Sequence, residues 1–108
     1  MTTIHHLALV RDWNEAQSAG EYRVSTIGRT VDDEGFIHAS TPDQVVGTFQ
    51  RYYADQDDVL LLTIDTDLLA SPWRFDDVGD TRFPHIYGPL NLEAVVDVRP
   101  YVRSSTAS

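Results

Sequence analysis

The chain contains no cysteine, which excludes disulfides, thiolate nucleophiles and cysteine-ligated zinc or iron–sulfur centres. It contains no lysine either, all eight basic residues being arginine, and this excludes Schiff-base and pyridoxal-phosphate chemistry. Positive charge is scarce overall: 17 acidic residues leave a net charge of −9 over 108 residues. Such a balance works against general nucleic-acid or anionic-membrane binding, although a local arginine pocket can still hold one phosphate. No run approaches the roughly 20 apolar residues of a membrane span. Met1-Thr2-Thr3 passes straight into Ile4-His5-His6-Leu7 without the basic and apolar regions of a signal peptide, so cytoplasmic residence is expected.

What is present is an apolar content of 42%, enough for one domain of this size to bury most of its unfolded surface without a metal or a disulfide. Thr2 to Val10 alternates as a first strand, with Ile4, His6 and Ala8 on one face and His5, Leu7 and Leu9 on the other. Asp12 as N-cap, Glu15 three places on and Gly20 as terminator predict a helix over Trp13 to Ala19, with Trp13 and Ala16 inward. A short strand at Tyr22 to Ser25 and a polar turn through Gly35 lead into Phe36 to Ser40, where alternation places Phe36, His38 and Ser40 together. Thr41-Pro42-Asp43-Gln44 is a capping box with proline in the first helical position, and Val45, Phe49 and Tyr52 form the stripe of the helix behind it.

Asp58 to Asp65 is an apolar run bounded by acids, as expected for a central strand covered on both faces. Trp73 to Asp76 alternates like a strand and Asp76 to Arg82 reads as an exposed loop. Two prolines and a glycine in Phe83 to Pro89 argue against a regular central strand or helix there. Ala94 to Val98 closes the sheet. The sum is a single α+β domain over residues 1–102, with about six mostly antiparallel strands and two main helices. Residues 103–108 have nothing to bury and are expected to be a disordered tail.

Imidazole is the side chain best suited to exchange protons near neutral pH, which directs attention to His6, His38 and His85. They lie far apart in sequence, His5 faces away from His6, and no close histidine pair is present, so no metal site is expected. A lone histidine is commonly a core filler bonded to a carbonyl. Here Ser40 accompanies His38 and Tyr87 accompanies His85, the pattern of a shared pocket wall. The segment Phe83-Pro84-His85-Ile86-Tyr87-Gly88-Pro89-Leu90-Asn91 reads equally as a pocket-lining loop or as a constrained edge connection. Arg74 and Arg82 either grip a phosphate or carboxylate, or pair with Asp76, Asp77 or Asp80. Glu93 and Asp65 stand at strand ends, where a carboxylate can orient a ribose, act as a base or merely be solvated. Ser40 lacks the flanking glycines of a nucleophile elbow, which argues against a serine hydrolase.

Several of these segments together resemble a family known as domain of unknown function 952, found widely in bacteria. The resemblance runs through Ile4-His5-His6-Leu7, Trp13 with Ala16 and Gly20, Gly35 to Ser40, Asp58 to Asp65, and Phe83 through Val96. The chain departs from the family at His5, Ala39 and Asp76, where tyrosine, cysteine and glutamate are usual, and the resemblance assigns Asp76 no role. The family in turn is distantly similar to the ADP-ribosyltransferase superfamily, which implies a split antiparallel sheet with NAD as substrate. By that likeness His6 and His38 hold catalytic positions with Glu93 on the reacting ribose, while Ser40, Arg74, His85 and Tyr87 bind the nucleotide. The alternatives are a non-catalytic module for a nucleotide or small metabolite, and a structural or regulatory partner of another protein.

Overall fold

The computed structural model describes residues 2–101; the tail expected at 103–108 lies outside them. Its first sheet is built on β6 (Val59–Asp65), whose β-branched and leucine side chains suit a strand covered twice. β6 is flanked by β1 (Thr3–Leu9) and β10 (Val95–Pro100), both antiparallel to it. The β1 register runs from Thr3 opposite Asp65 to Leu9 opposite Val59, so Ile4, His6 and Ala8 share a face with Ile64, Leu62 and Leu60. That face joins a core with Trp13 and Ala16 of α1 (Val10–Ala19) and with Tyr22, Ile37, Ile86 and Leu90. On the other face, Leu7, Leu9 and Val59 pack against Val45, Phe49 and Tyr53 of the α3 region, α3 spanning Val45–Tyr52.

Local details differ from the expectation in instructive ways. α1 starts at Val10 rather than Trp13, because the Val10 N–H is taken by the Asp58 carbonyl at 3.0 Å and no side-chain cap is needed. Asp12 therefore lies in the first turn, where the helix dipole favours it. The helix ends at Gly20, whose φ of 91° is cheap for glycine alone. The capping box at Thr41 and Gln44 is present but closes a 3-10 turn, Pro42–Gln44, that leads into α3. The buried aromatic at the end of α3 is Tyr53, at the four-residue spacing set by Val45 and Phe49, and its hydroxyl donates to the Leu7 carbonyl at 3.1 Å. Tyr52, expected inside, is 47% exposed.

The second sheet, β5 (Ile37–His38), β8 (Thr81–Ile86) and β7 (Trp73–Val78), is antiparallel with β8 in the middle. This corrects two expectations. The presumed loop from Asp76 to Arg82 is a hairpin in which Asp77 faces Arg82 and Val78 faces Thr81. Phe83 to Ile86 is a central strand despite Pro84, which lacks a donor but uses its carbonyl to accept the Ala39 N–H at 3.0 Å. The two sheets meet at one bridge, where His5 and Ser40 exchange backbone hydrogen bonds of 2.7 Å.

Two short antiparallel pairs complete the fold: β2 (Glu21–Tyr22) with β9 (Leu90–Asn91), and β3 (Val24–Thr26) with β4 (Arg29–Thr30). The single turn of α2 (Val31–Glu34) follows β4. The architecture is a small α+β domain with several antiparallel strands; the expected strand at Tyr22 to Ser25 divides between β2 and β3, and β4, β8 and β9 lie beyond the expected six. No described helix is long and apolar enough to cross a membrane.

Candidate functional site

Strand alternation in the second sheet sorts its residues cleanly. Arg74 pairs with His85, Asp76 with Phe83, and His38 with His85, so these side chains, with Phe36 and Tyr87 one step along, project from one face. The opposite face carries Ile37, Pro84 and Ile86, all fully buried in the core. The polar row is thus presented by residues whose neighbours fix the sheet.

The row is continuous. His38 Nδ1 lies 3.4 Å from His85 Nε2, and His85 Nδ1 lies 2.8 Å from Asp76 Oδ2. The Tyr87 hydroxyl donates to the same carboxylate oxygen, while Arg74 Nε donates to Asp76 Oδ1 at 2.9 Å and the guanidinium covers the Tyr87 ring at 4.5 Å. The Tyr87 bond, aided by His85 and Arg74, holds the Asp76 carboxyl down to about 2. Phe36 stacks on the His85 imidazole with centroids 4.0 Å apart and planes 11° apart. Burial, with His6 and His85 nearby, lowers His38 to about 4, so it is neutral at pH 7.

His6 underpins this row from the first sheet. Its Nδ1–H donates to the His38 carbonyl at 2.6 Å, which leaves Nε2 to accept the Tyr22 hydroxyl at 3.0 Å. Both nitrogens are occupied, and burial of the ring outweighs the His38 carbonyl, which favours the charged form, and lowers its pKa to about 4. His38 differs: its Nε2 is buried yet has no hydrogen-bond partner among the described residues. A buried polar atom left this way costs about 1–3 kcal/mol, which singles out His38 Nε2 among the buried side-chain polar atoms of the described residues.

His38, Tyr52 and Val78 form the common wall of two adjoining clefts. One, of about 230 Å³, is lined by Gln44, Thr48, Arg51 and Phe83; the other, of about 360 Å³, by Thr26, Arg29, Phe36 and His85. Arg29 is paired with Glu34 at 3.0 Å, whereas no ion pair engages Arg51 among the described residues. The hairpin is tied to the entry of α3 by Gln44 Nε2, which donates to the Arg82 carbonyl at 2.7 Å. Two depressions of about 400 and 390 Å³ lie elsewhere, around Val10, Gln56, Asp57 and Asp58, and hold none of the histidines.

The structure therefore joins His6, His38, His85, Tyr87 and Arg74, and sets two expected residues apart. Ser40 is buried with its hydroxyl 3.0 Å from that of Thr48, an internal tie between the sheet bridge and α3. Glu93 is exposed on the 3-10 turn Leu92–Ala94, where it accepts from Asn91 Nδ2 at 3.4 Å, and no hydrogen bond joins it to the histidines. Asp65 accepts from the Asp67 N–H at 3.0 Å and caps a turn. Arg74 and Arg82 take the ion-pair reading, with Asp76 and Asp77 respectively. Asp76, given no role from sequence, is the carboxylate at the centre of the row. The signal for it lay in two alternating runs, Arg74-x-Asp76 and Phe83-x-His85-x-Tyr87, flanking the turn at Gly79-Asp80.

Among curated proteins there is no match to the chain. The crystal structure of protein CC0527 from Caulobacter crescentus superposes with a TM-score of 0.81 at 26% identity, over 92% of this chain and 85% of that one. The solution NMR structure of CC0527 gives a TM-score of 0.70 at 28% identity, over 91% and 83% respectively. With a family model matching residues 8–98 as well, the chain belongs to the family described as Protein of unknown function (DUF952).

Proposed function

We propose that the paired clefts around His38 bind the planar ring of a small ligand, a nucleotide or NAD, and that the domain is a binding module rather than a transferase. The observation that carries this reading is the unpartnered Nε2 of His38, a residue that ends a hydrogen-bonded row and lines both clefts. Phe36, Tyr52 and Phe83 supply aromatic walls for a ring, and Arg51 is a cation at the rim for a phosphate. Each cleft is at or below the lower end of the volumes that hold drug-sized ligands, which suits a base or a mononucleotide half. The resemblance to ADP-ribosyltransferases supplies the ligand class. Its transfer chemistry is disfavoured because Glu93, the residue assigned to the ribose, has no hydrogen bond to the histidine row.

Titration with NAD while following the His6, His38 and His85 NMR resonances tests the proposal. His38 and His85 should shift most, His6 least, and nicotinamide should not be released. Absence of any perturbation at millimolar NAD would overturn the reading. Replacing His38 with alanine should weaken binding at least about tenfold, the loss of one hydrogen bond to a buried partner, whereas Glu93→Ala should leave it unchanged. Nicotinamide release that disappears in Glu93→Ala would restore the transferase reading.

A further inference from the structure

Which nitrogen of an imidazole carries the proton is set by the partner of the other nitrogen. Asp76 is the fixed end of the row: its Oδ1 accepts from Arg74, and its Oδ2 faces both the Tyr87 hydroxyl and His85 Nδ1. A carboxylate only accepts, so His85 holds its proton on Nδ1. When that is the only proton on the His85 ring, its Nε2 is a lone pair, and His38 Nδ1, 3.4 Å away, is the donor between them. This places the His38 proton on Nδ1 and leaves Nε2 bare. The backbone of His38 is held at both ends, its carbonyl accepting from His6 at 2.6 Å and its N–H donating to Ser25 Oγ at 3.2 Å, so the ring is carried on a fixed base. Tyr52, edge-on to the His38 ring at 6.4 Å and half-exposed, is the neighbour that separates this ring from solvent least completely.

We propose that Asp76 and His85 act as a tautomer lock that makes His38 Nε2 an obligate hydrogen-bond acceptor. The clefts consequently select ligands bearing an N–H or O–H donor beside the planar ring, and discriminate against isosteres that lack it. The selectivity rests on the reading of the clefts as a ligand site, whereas the lock is a property of the unliganded protein. Asp76, His85 and His6 are positioning residues in this scheme, and His38 Nε2 is the atom that accepts from the ligand. Pockets built around one polar contact reject analogues that cannot complete it far more strongly than they reject a change in size.

Two measurements test the two halves. Long-range proton–nitrogen NMR of the unliganded protein should give His38 a protonated Nδ1 and an unprotonated Nε2, and His85 the same pattern. In Asp76→Ala the His85 proton should redistribute toward Nε2 and the His38 proton follow to its own Nε2. A protonated His38 Nε2 in the wild-type protein, or unchanged tautomers in folded Asp76→Ala, would overturn the lock; the wild-type spectrum decides even if the variant does not fold. For selectivity, adenosine and purine riboside differ only in the exocyclic amine, and adenosine should bind at least about tenfold more tightly. Equal binding overturns the selectivity while leaving the site. If neither nucleoside moves the His38 resonances, the cleft reading and the selectivity fall together, and the tautomer result stands on its own.

Discussion

The two three-stranded sheets use the same antiparallel plan and differ in what they do with their second face. In the β1–β6–β10 sheet, β6 is covered on both sides by apolar side chains, and the one fully buried imidazole, His6, has both nitrogens satisfied. In the β5–β8–β7 sheet one face is equally apolar, through Ile37, Pro84 and Ile86, but the other bears histidines, Tyr87, Asp76 and Arg74. Stability and chemistry are thus separated by the period-2 pleat: the residue that anchors the strand and the residue that meets the cleft are adjacent in sequence.

The sharpest way to break this comparison is to show that the first sheet is dispensable. Leu62 is 0% exposed at the centre of β6, and Leu62→Ala should cost about 2–5 kcal/mol in urea unfolding. Acid should come next. The folded His6 pKa of about 4 lies below its ordinary 6.5, so the unfolded chain binds the extra proton. The stability is therefore full above pH 6.5 and is lost as pH falls toward 4, on the order of 3 kcal/mol. His38 is lowered in the same direction and titrates in the same window, whereas Asp76, at about 2, acts only below 3.8. Unfolding midpoints that do not fall between pH 7 and pH 4 would contradict the buried neutral state of both histidines. Tyr53→Phe, which deletes one buried hydrogen bond to Leu7, should cost about 1 kcal/mol by the same assay. Asp76→Asn should move the midpoint least of all while changing the His85 imidazole resonances; a loss comparable to Leu62→Ala would mean that the polar face also holds the fold together.

Much of the first sheet was legible because its signals are local. The run Val59 to Ile64, the alternation of Ile4 to Leu9 and the inward pair Trp13 and Ala16 each declare themselves within a few residues. The second sheet hides its order in pairings. Pro84 argues against a central strand until the Ala39 N–H is seen to use its carbonyl, and Asp76 is one acid among 17 until the hairpin register sets it on the face of His85. Glu93 and Ser40 stand apart from the row for the converse reason: residue type and strand position fit a site, but neither fixes whether a side chain faces solvent, a neighbouring helix or a cleft.

The hairpin turn has a practical corollary. Val78 and Thr81 line the same cleft as His38, while Gly79 and Asp80 between them are exposed. In a chain without a single native thiol, Asp80→Cys creates a unique attachment point beside the cleft. A fluorophore there would turn the domain into a direct reporter of whatever enters, and so into an instrument for identifying its own ligand from a mixture.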